Sequence, residues 1–317
     1  MSDPMPTVSV FVLCYQHRPF IEAALESVLA QEGPDLEIVV ADDGSTDGTY
    51  EAVERLQSSD PLRRIRLLPR RENGGLLRIS ENATRGLLAC RGQYIAFLDG
   101  DDLFLPGKLA AQVAWFERDD RRVLCGHDVE VFDSSTQATM RLGSDVNPLS
   151  SGIGAAPLVR NGVPFVTASI MVRRAALPGG YEPRLRMLLD WLLWIEILER
   201  GGRFGWVDGI WARYRRHSGN LTASQPLISA EDQLVTLSLV EARYPHLVGA
   251  ARVGRRRVRY ALGIAAAQRG DLTAARRYWR AAIGWGWSMK ASARLFASYL
   301  NWLPRGPELP AQPGQGN

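Results

Sequence analysis

The sequence predicts an α/β protein built on a mostly parallel central sheet flanked by helices. Two observations carry that expectation. Short β-branched runs recur, of the kind buried on both faces of a parallel sheet, and each is followed by apolar residues at helical spacing. The alternation repeats four times in the first hundred residues or so, the pattern of βα units rather than of hairpins. A third observation locates a site. Two of the runs empty into carboxylate clusters, at the strand ends where ligands sit in such sheets.

Taken in order, residues 7–13 form the first strand and lead through Cys14, Tyr15, Gln16, His17, Arg18 and Pro19 into a helix over 20–31. In that helix Ile21, Leu25, Val28 and Leu29 share one face. A second strand over 36–41 runs into Asp42-Asp43-Gly44-Ser45-Thr46-Asp47, where Ser45, Thr46 and Asp47 can cap a helix through Tyr50, Val53 and Leu56. A third strand over 65–68 precedes an Asn73-Gly74-Gly75 loop and a helix over 80–90. The fourth, over 94–98, ends in Asp99-Gly100-Asp101-Asp102, and Leu105-Pro106 opens another helix.

Three carboxylates within four residues repel one another and raise each other's pKa values unless a cation neutralises them. An all-oxygen ligand set at a strand mouth suits Mg²⁺ or Mn²⁺, which keep positions open for substrate phosphates. The competing reading is an acidic turn that caps the following helix. The second acidic turn at Asp42 and Asp43 favours the metal reading, because both turns fall at one end of one sheet.

The ordered set Cys14-Tyr15-Gln16-His17, Asp42 to Asp47, Asn73-Gly74-Gly75 and Asp99-Gly100-Asp101-Asp102 resembles the family 2 glycosyltransferases of the GT-A fold. The likeness continues through Leu189-Asp190-Trp191-Leu192-Leu193-Trp194 and Tyr214-Arg215-Arg216-His217-Ser218-Gly219-Asn220, and spans roughly residues 6–222. It implies an inverting, single-displacement transfer of a sugar from a nucleoside diphosphate to an acceptor hydroxyl. By the same likeness Cys14, Tyr15 and Asp42 hold the nucleobase and Asp43 supports the turn. Asp101 reaches the metal, Asp99 meets the ribose or the metal's water shell, and Gly100 leaves room for the ligand. Asp190 matches the family's base. The family usually has Glu immediately before that aspartate, and Leu189 stands there instead, which puts acceptor handling in question.

Such a transfer requires two things of a protein. Charge developing on the leaving diphosphate must be neutralised, and a carboxylate must take the acceptor's proton as the bond forms. Asp190 sits in a strongly apolar segment, where it is either the N-cap of a helix or a base whose pKa burial has raised. His217 follows a Tyr-Arg-Arg strand and is a candidate metal ligand, while Arg215 or Arg216 could fork a phosphate. His17 is expected to pack in its loop without a catalytic part. Asn82 is expected to face the donor, with Arg78 in place of the family's missing arginine and Arg85 on a solvated helix face.

Composition suits one large catalytic domain over 1–225, with a nucleotide half over 6–103 and an acceptor half over 104–225. A helical region over 226–303 and a disordered tail over 304–317 are expected to follow. Three scattered cysteines, no leader pattern at the start and no apolar run of about 18 residues predict a cytoplasmic protein without a membrane span. Residues 241–317 hold 13 Arg plus Lys against 3 Asp plus Glu, so the rest of the chain is net acidic. Arg252, Arg255, Arg256, Arg257 and Arg259 cluster there, followed by Trp279, Trp285, Trp287 and Trp302. That region is expected to pack on the catalytic domain or on a second subunit, with peripheral contact at the inner face of the membrane as the next reading. No nucleic-acid-binding motif accompanies the charge. The expected donor is a UDP- or dTDP-sugar, and the acceptor a glycan, a lipid-linked precursor or a small molecule shaped by residues 136–164. A sugar-phosphate nucleotidyltransferase is disfavoured, since the loop after the first strand has no glycine and only Arg18 to hold phosphate. A non-catalytic nucleotide-sugar-binding protein is disfavoured by the intact Asp99, Asp101 and Asp190.

Overall fold

The computed structural model describes residues 5–72, 74–145, 154–163, 165–220, 225–284 and 289–299. Asn73, Trp285, Trp287, Trp302 and the tail over 304–317 lie outside them. Four strands stand where the apolar runs place them: β1 Val8–Cys14, β2 Leu36–Asp42, β3 Ile65–Leu67 and β4 Tyr94–Asp99. They pair in parallel in the order β3-β2-β1-β4. The β1 and β2 strands are buried on both faces, as their unbroken Val, Ile and Leu content demands. Helices α1 Ile21–Leu29, α2 Thr49–Ser59 and α3 Ile79–Ala89 make the crossovers.

Beyond β4 the pairing becomes mixed. A short β5 Leu103–Phe104 and helix α4 Lys108–Phe116 lead to β6 Arg122–Asp133, which β7 Thr139–Leu142 joins as an antiparallel neighbour. After helix α5 Ala155–Asn161 and a 3-10 turn at Thr167–Ser169 comes β8 Met171–Arg173, antiparallel to both β4 and β6. Helix α6 Leu189–Glu199 and the long β9 Arg203–Arg216 follow, with β9 parallel to β6 and antiparallel to β5. The described sheet therefore runs β3-β2-β1-β4-β8-β6-β9-β5. Its register sets Cys14 beside Asp42 and Leu13 beside Asp99, so both acidic turns open at one edge.

Four helices close the described chain: α7 Pro226–Arg243, α8 Val248–Gln268, α9 Leu272–Gly284 and α10 Met289–Tyr299. Gly270 turns the chain between α8 and α9 with φ +82°, a left-handed conformation that costs glycine little. The main core crosses the expected boundary at 225. Leu237, Val240, Leu247, Ala251 and Val258 are buried in one cluster with Phe97, Trp191 and Trp194 of the catalytic half. Only Ala266, Ala275 and Trp279 form a separate small core. Polar ties reinforce the junction. Asp232, fully buried on α7, accepts hydrogen bonds from the backbone N–H groups of Arg186 (2.8 Å) and Met187 (2.7 Å), and pairs with the Arg186 guanidinium. Arg243 pairs with Glu182 and Glu196. No described helix is long and apolar enough to cross a membrane.

Candidate active site

The turn after β2 is built around Asp42. Its Oδ2 accepts the N–H groups of Gly44 (2.9 Å) and Ser45 (2.8 Å), the pattern in which an Asp side chain closes its own turn. Asp42 is 1% exposed, with its other oxygen 3.7 Å from Cys14 Sγ. Asp42 thus closes the turn, the supporting part that the resemblance gives to Asp43, while Asp43 is half-buried beside it. Burial, opposed by Asn82 and reinforced by the charge of Asp42, pushes the Asp43 carboxyl up to about 6. Tyr15 is 37% exposed at the lip of the same turn. Cys14 is buried, and its thiol is pushed well up by burial and by Asp42, which leaves it a neutral wall of the site.

Gln16, which the Cys14-Tyr15-Gln16-His17 motif contains without a role of its own, clasps the two loops together. Its Oε1 accepts from Thr46 N–H (2.9 Å) and Asp47 N–H (3.1 Å), its Nε2 donates to Thr46 Oγ1, and its own N–H donates to Ser45 Oγ (2.9 Å). The left-handed φ of +56° at Gln16 is what turns the side chain back across the gap. The capping role falls to Asp47, which accepts from the Thr49 N–H (3.0 Å) and hydroxyl (2.6 Å).

Asn82 stands beside Asp43, whose carboxyl it hydrogen-bonds. Its Nδ2 donates to the Asp42 carbonyl (3.0 Å), tying α3 to β2, and its Oδ1 accepts from Arg85 on the same helix (2.9 Å). Arg85 is therefore half-buried rather than solvated, and burial lowers its pKa. Arg78 is exposed and paired with Glu81 at 3.3 Å.

In the second acidic turn the three aspartates have three different surroundings. Asp99 is half-buried, and burial followed by the charges of Asp101 and Asp190 pushes its carboxyl up to about 8. Asp101 is 7% exposed, and its Oδ2 lies 2.9 Å from His217 Nε2 and 3.9 Å from His17 Nε2. Burial would raise its pKa, but the His217 hydrogen bond and the two imidazoles outweigh burial and hold it below the ordinary range. Asp102 is fully buried: one oxygen accepts the Arg215 N–H (2.8 Å), the other has no partner, and burial with two neighbouring aspartates drives its pKa well up. A neutral acid is the form that burial tolerates. Asp102 thus pins the end of β9 beneath the acidic turn.

The protein's own packing already requires a glycine at position 100. A Cβ there would lie 2.7 Å from Cys14 Cβ and 2.8 Å from His17 Nδ1, inside the molecule's own packing. Arg215 likewise turns inward. Its Nε donates to the Asp101 carbonyl (2.7 Å), and its guanidinium lies over the rings of Phe20 and Phe132, so it forks no phosphate. His17 stands closer to the chemistry than its sequence context suggests, facing Asp101, with a buried Nδ1 that has no partner.

His217 and Asp101 bear on metal binding. An octahedral cation with ligands near 2.1 Å holds adjacent ligands about 3 Å apart, which is the Asp101–His217 separation of 2.9 Å. Against this, His217 Nδ1 accepts the Gly219 N–H at 3.1 Å, so in the neutral ring Nε2 carries the proton and donates to Asp101. Ligation through Nε2 requires that this proton leave and the Gly219 contact be exchanged. Among the described residues no three His, Cys, Asp or Glu side chains are already gathered as a metal cage. A carboxylate with one imidazole fits a cation completed by substrate phosphates and water. Asn220 braces the pair, accepting the His217 N–H at 2.8 Å and donating to the Arg215 carbonyl at 3.2 Å.

Asp190 lies in the first turn of α6. The N-cap position is Leu188, with no side-chain cap, which removes the capping explanation. Its Oδ2 accepts the Thr167 hydroxyl at 3.2 Å. Burial raises its pKa, opposed by that hydroxyl. Tyr181, buried beside it, feels both Asp190 and Asp99, so the two carboxylates share one cleft wall. The family resemblance anticipated Asp99, Asp101, Asp190 and His217 in one site, and Asp99 feels the charges of both Asp101 and Asp190. The Thr167 and Tyr181 contributions carry no motif.

Comparison with known proteins agrees with this geometry. Residues 9–178 match the family described as Glycosyl transferase family 2, more than half of the chain. The putative glycosyltransferase EpsE of Bacillus subtilis is 32% identical over 204 residues, 62% of this chain and 69% of that protein. The Escherichia coli protein WfaP, a UDP-Glc:alpha-D-GlcNAc-diphosphoundecaprenol beta-1,3-glucosyltransferase, is 25% identical over 70% of this chain and 82% of its own length. Among solved structures, S. aureus TarS 1-349 with UDP-GlcNAc superposes with a TM-score of 0.62 at 15% identity, covering 93% of this chain and 88% of that one. The Pyrobaculum calidifontis mannosyltransferase PcManGT, solved with GDP-Man and Mn²⁺, gives 0.61 at 21% identity, covering 94% and 81%. The two likenesses establish the GT-A fold. With a family profile matched over more than half of the chain, from the first strand through both acidic turns, the chain belongs to the family 2 glycosyltransferases.

Proposed function

We propose that the chain transfers a sugar from a nucleoside diphosphate to an acceptor hydroxyl with inversion, in one displacement. The observation behind this reading is the meeting of Asp99, Asp101 and Asp190, with Asp99 feeling both other carboxylates. Asp43 accepts an N–H of the base, with Tyr15 and Cys14 bordering the ring, and the family resemblance favours a UDP- or dTDP-sugar as the donor. Asp99 offers a carboxyl oxygen to a ribose or sugar hydroxyl. Asp101, with His217 as a second donor, holds a divalent ion, Mg²⁺ or Mn²⁺, which supplies Lewis-acid stabilisation of the charge on the leaving diphosphate. Asp190 removes the acceptor proton, held in orientation by Thr167, and its raised pKa makes it a stronger base than an exposed aspartate.

The names of two relatives support a cell-surface glycan, or its lipid-linked precursor, as the acceptor. One is the putative teichuronic acid biosynthesis glycosyltransferase TuaG of Bacillus subtilis, and the other is WfaP. Three buried, unpaired cysteines support a reducing, cytoplasmic setting. Calorimetric titration of UDP, dTDP and GDP, with Mn²⁺ and then with EDTA, tests the donor site. One diphosphate should bind in a metal-dependent manner, and Asp101→Ala should abolish that binding. Asp190→Asn should bind the same nucleotide normally and lose transfer by roughly a hundredfold or more. Normal turnover in that variant would remove Asp190 as the base.

A further inference from the structure

Helix α10 is packed inside out. Its buried positions are the small Ala291 and Ser298, set against α9, where Arg276 donates to the Ser298 carbonyl at 2.6 Å. Its bulky apolar residues face outward instead: Met289 is 69% exposed, Phe296 68% and Tyr299 50%. Met289, Ala293 and Phe296 stand at i, i+4 and i+7, so they form one continuous stripe. A helix that packs through Ala291, Leu295 and Ser298 while it exposes Met289 and Phe296 has, among the described residues, an unpartnered apolar face.

The charge around this stripe is of one sign. Residues 272–299 contain five basic side chains and no acidic one. Arg277, Arg280 and Lys290 are exposed, and among the described residues none of the five is in an ion pair with a carboxylate. Arg276 and Arg280 both lie against the Tyr299 ring, which places positive charge at the margin of the apolar stripe. A second copy of this chain would bring an equal set of positive charges to the contact, so the field opposes a symmetric pairing through this face. An apolar ridge bordered by arginine and lysine, on a convex helix rather than in a groove, matches the chemistry of an anionic bilayer surface.

We propose that α9 and α10 form a peripheral docking surface for anionic lipid, with Met289, Phe296 and Tyr299 entering the headgroup–acyl boundary and Arg277, Arg280 and Lys290 meeting the headgroups. The surface is separate from the nucleotide cleft, so it is tested on the full chain without donor or metal. The measurement is co-sedimentation with phosphatidylcholine vesicles made with and without phosphatidylglycerol, at low and high salt. The expected result is partition only onto the anionic vesicles and release by salt. Phe296→Asp should weaken partition about tenfold, and Arg277→Gln with Lys290→Gln about fivefold for each charge removed. Phe296 is exposed, so Phe296→Asp should melt as the unsubstituted chain does. Should its melting temperature fall, the two charge variants and the salt series decide the matter by themselves. Equal partition onto both vesicles, partition onto neither, or unchanged partition in the charge variants overturns the proposal. So does a concentration-dependent dimer in sedimentation velocity that Phe296→Asp dissolves, since the face would then belong to a protein interface.

Discussion

Burial raises the pKa of the Asp190 carboxyl, opposed first by the Thr167 hydroxyl and then by backbone N–H groups of its own helix turn. If Asp190 is the base, it works only when deprotonated, so transfer should rise with pH through a value above the ordinary carboxylate range. Thr167→Val removes the largest of the influences that favour the ionised form. The acid limb of the pH–rate profile should therefore move to higher pH while nucleotide affinity stays unchanged. An unmoved limb would mean that another group sets it. Side-chain direction explains what sequence could and could not say at this scale. Motif order, through the family resemblance, brought Asp99, Asp101, Asp190 and His217 to one place. The same resemblance gave Asp42 to the nucleobase and Asp43 to the turn, whereas the hydrogen bonds have Asp42 closing it. The two are identical neighbours, and which one folds back to close the turn depends on the strand's pleat. Gln16 and Thr167 act through geometry that no residue type announces, a left-handed backbone in one case and a 3-10 turn in the other.

At the scale of elements, the site is a set of loops that hold one another. Gln16 receives or gives four hydrogen bonds across the gap between the β1 and β2 turns. Gln16→Ala should cost about 1–3 kcal/mol and weaken nucleotide binding, measured by thermal melting and calorimetry on the same samples. Gly100→Ala is a sharper case, because its Cβ would meet Cys14 Cβ at 2.7 Å, with only packed atoms around it. Overpacking of that kind costs about 1–3 kcal/mol, and a normal melting temperature would show that the turn can shift. The parallel half of the sheet was legible because its strands are unbroken apolar runs. The mixed half was not. β6 carries His127, Asp128 and Glu130 within its span, and β8 has only three residues, so neither shows a clean period.

Across the whole molecule, stability depends on a lysine that has no apparent reason to be charged. Lys108 is fully buried, gives one hydrogen bond to Gln112 at 2.6 Å and lies over the Phe104 ring at 4.1 Å. Burial lowers its pKa from 10.5 to about 7. Between those values the unfolded chain binds a proton that the folded chain does not, so this group's contribution to stability falls as pH drops from 10.5 towards 7 and is level below that. Burial holds the Asp99 carboxyl at about 8 and the thiols of Cys90 and Cys125 at about 12, which oppose the trend below 8 and above the ordinary thiol value of 9.0, so the window to examine lies between 8 and 9. In denaturant titrations Lys108→Met should raise stability near pH 7 and flatten its pH dependence across that window. A steeper slope would sink the assignment.

The Asp232 contact ties the end of the chain to its chemistry. A carboxylate on α7 holds the backbone of residues 186–187, three or four positions before Asp190. Synthesis runs from the N-terminus, and the nucleotide half can close its sheet as soon as β4 has emerged. A nascent chain halted before residue 232 would possess every acidic residue of the cleft and still lack the seat for the helix that carries the base. Such a chain could capture donor without spending it. Competence to transfer then arrives as a late and separate event in the life of each molecule, a checkpoint written into the order in which the polypeptide is made.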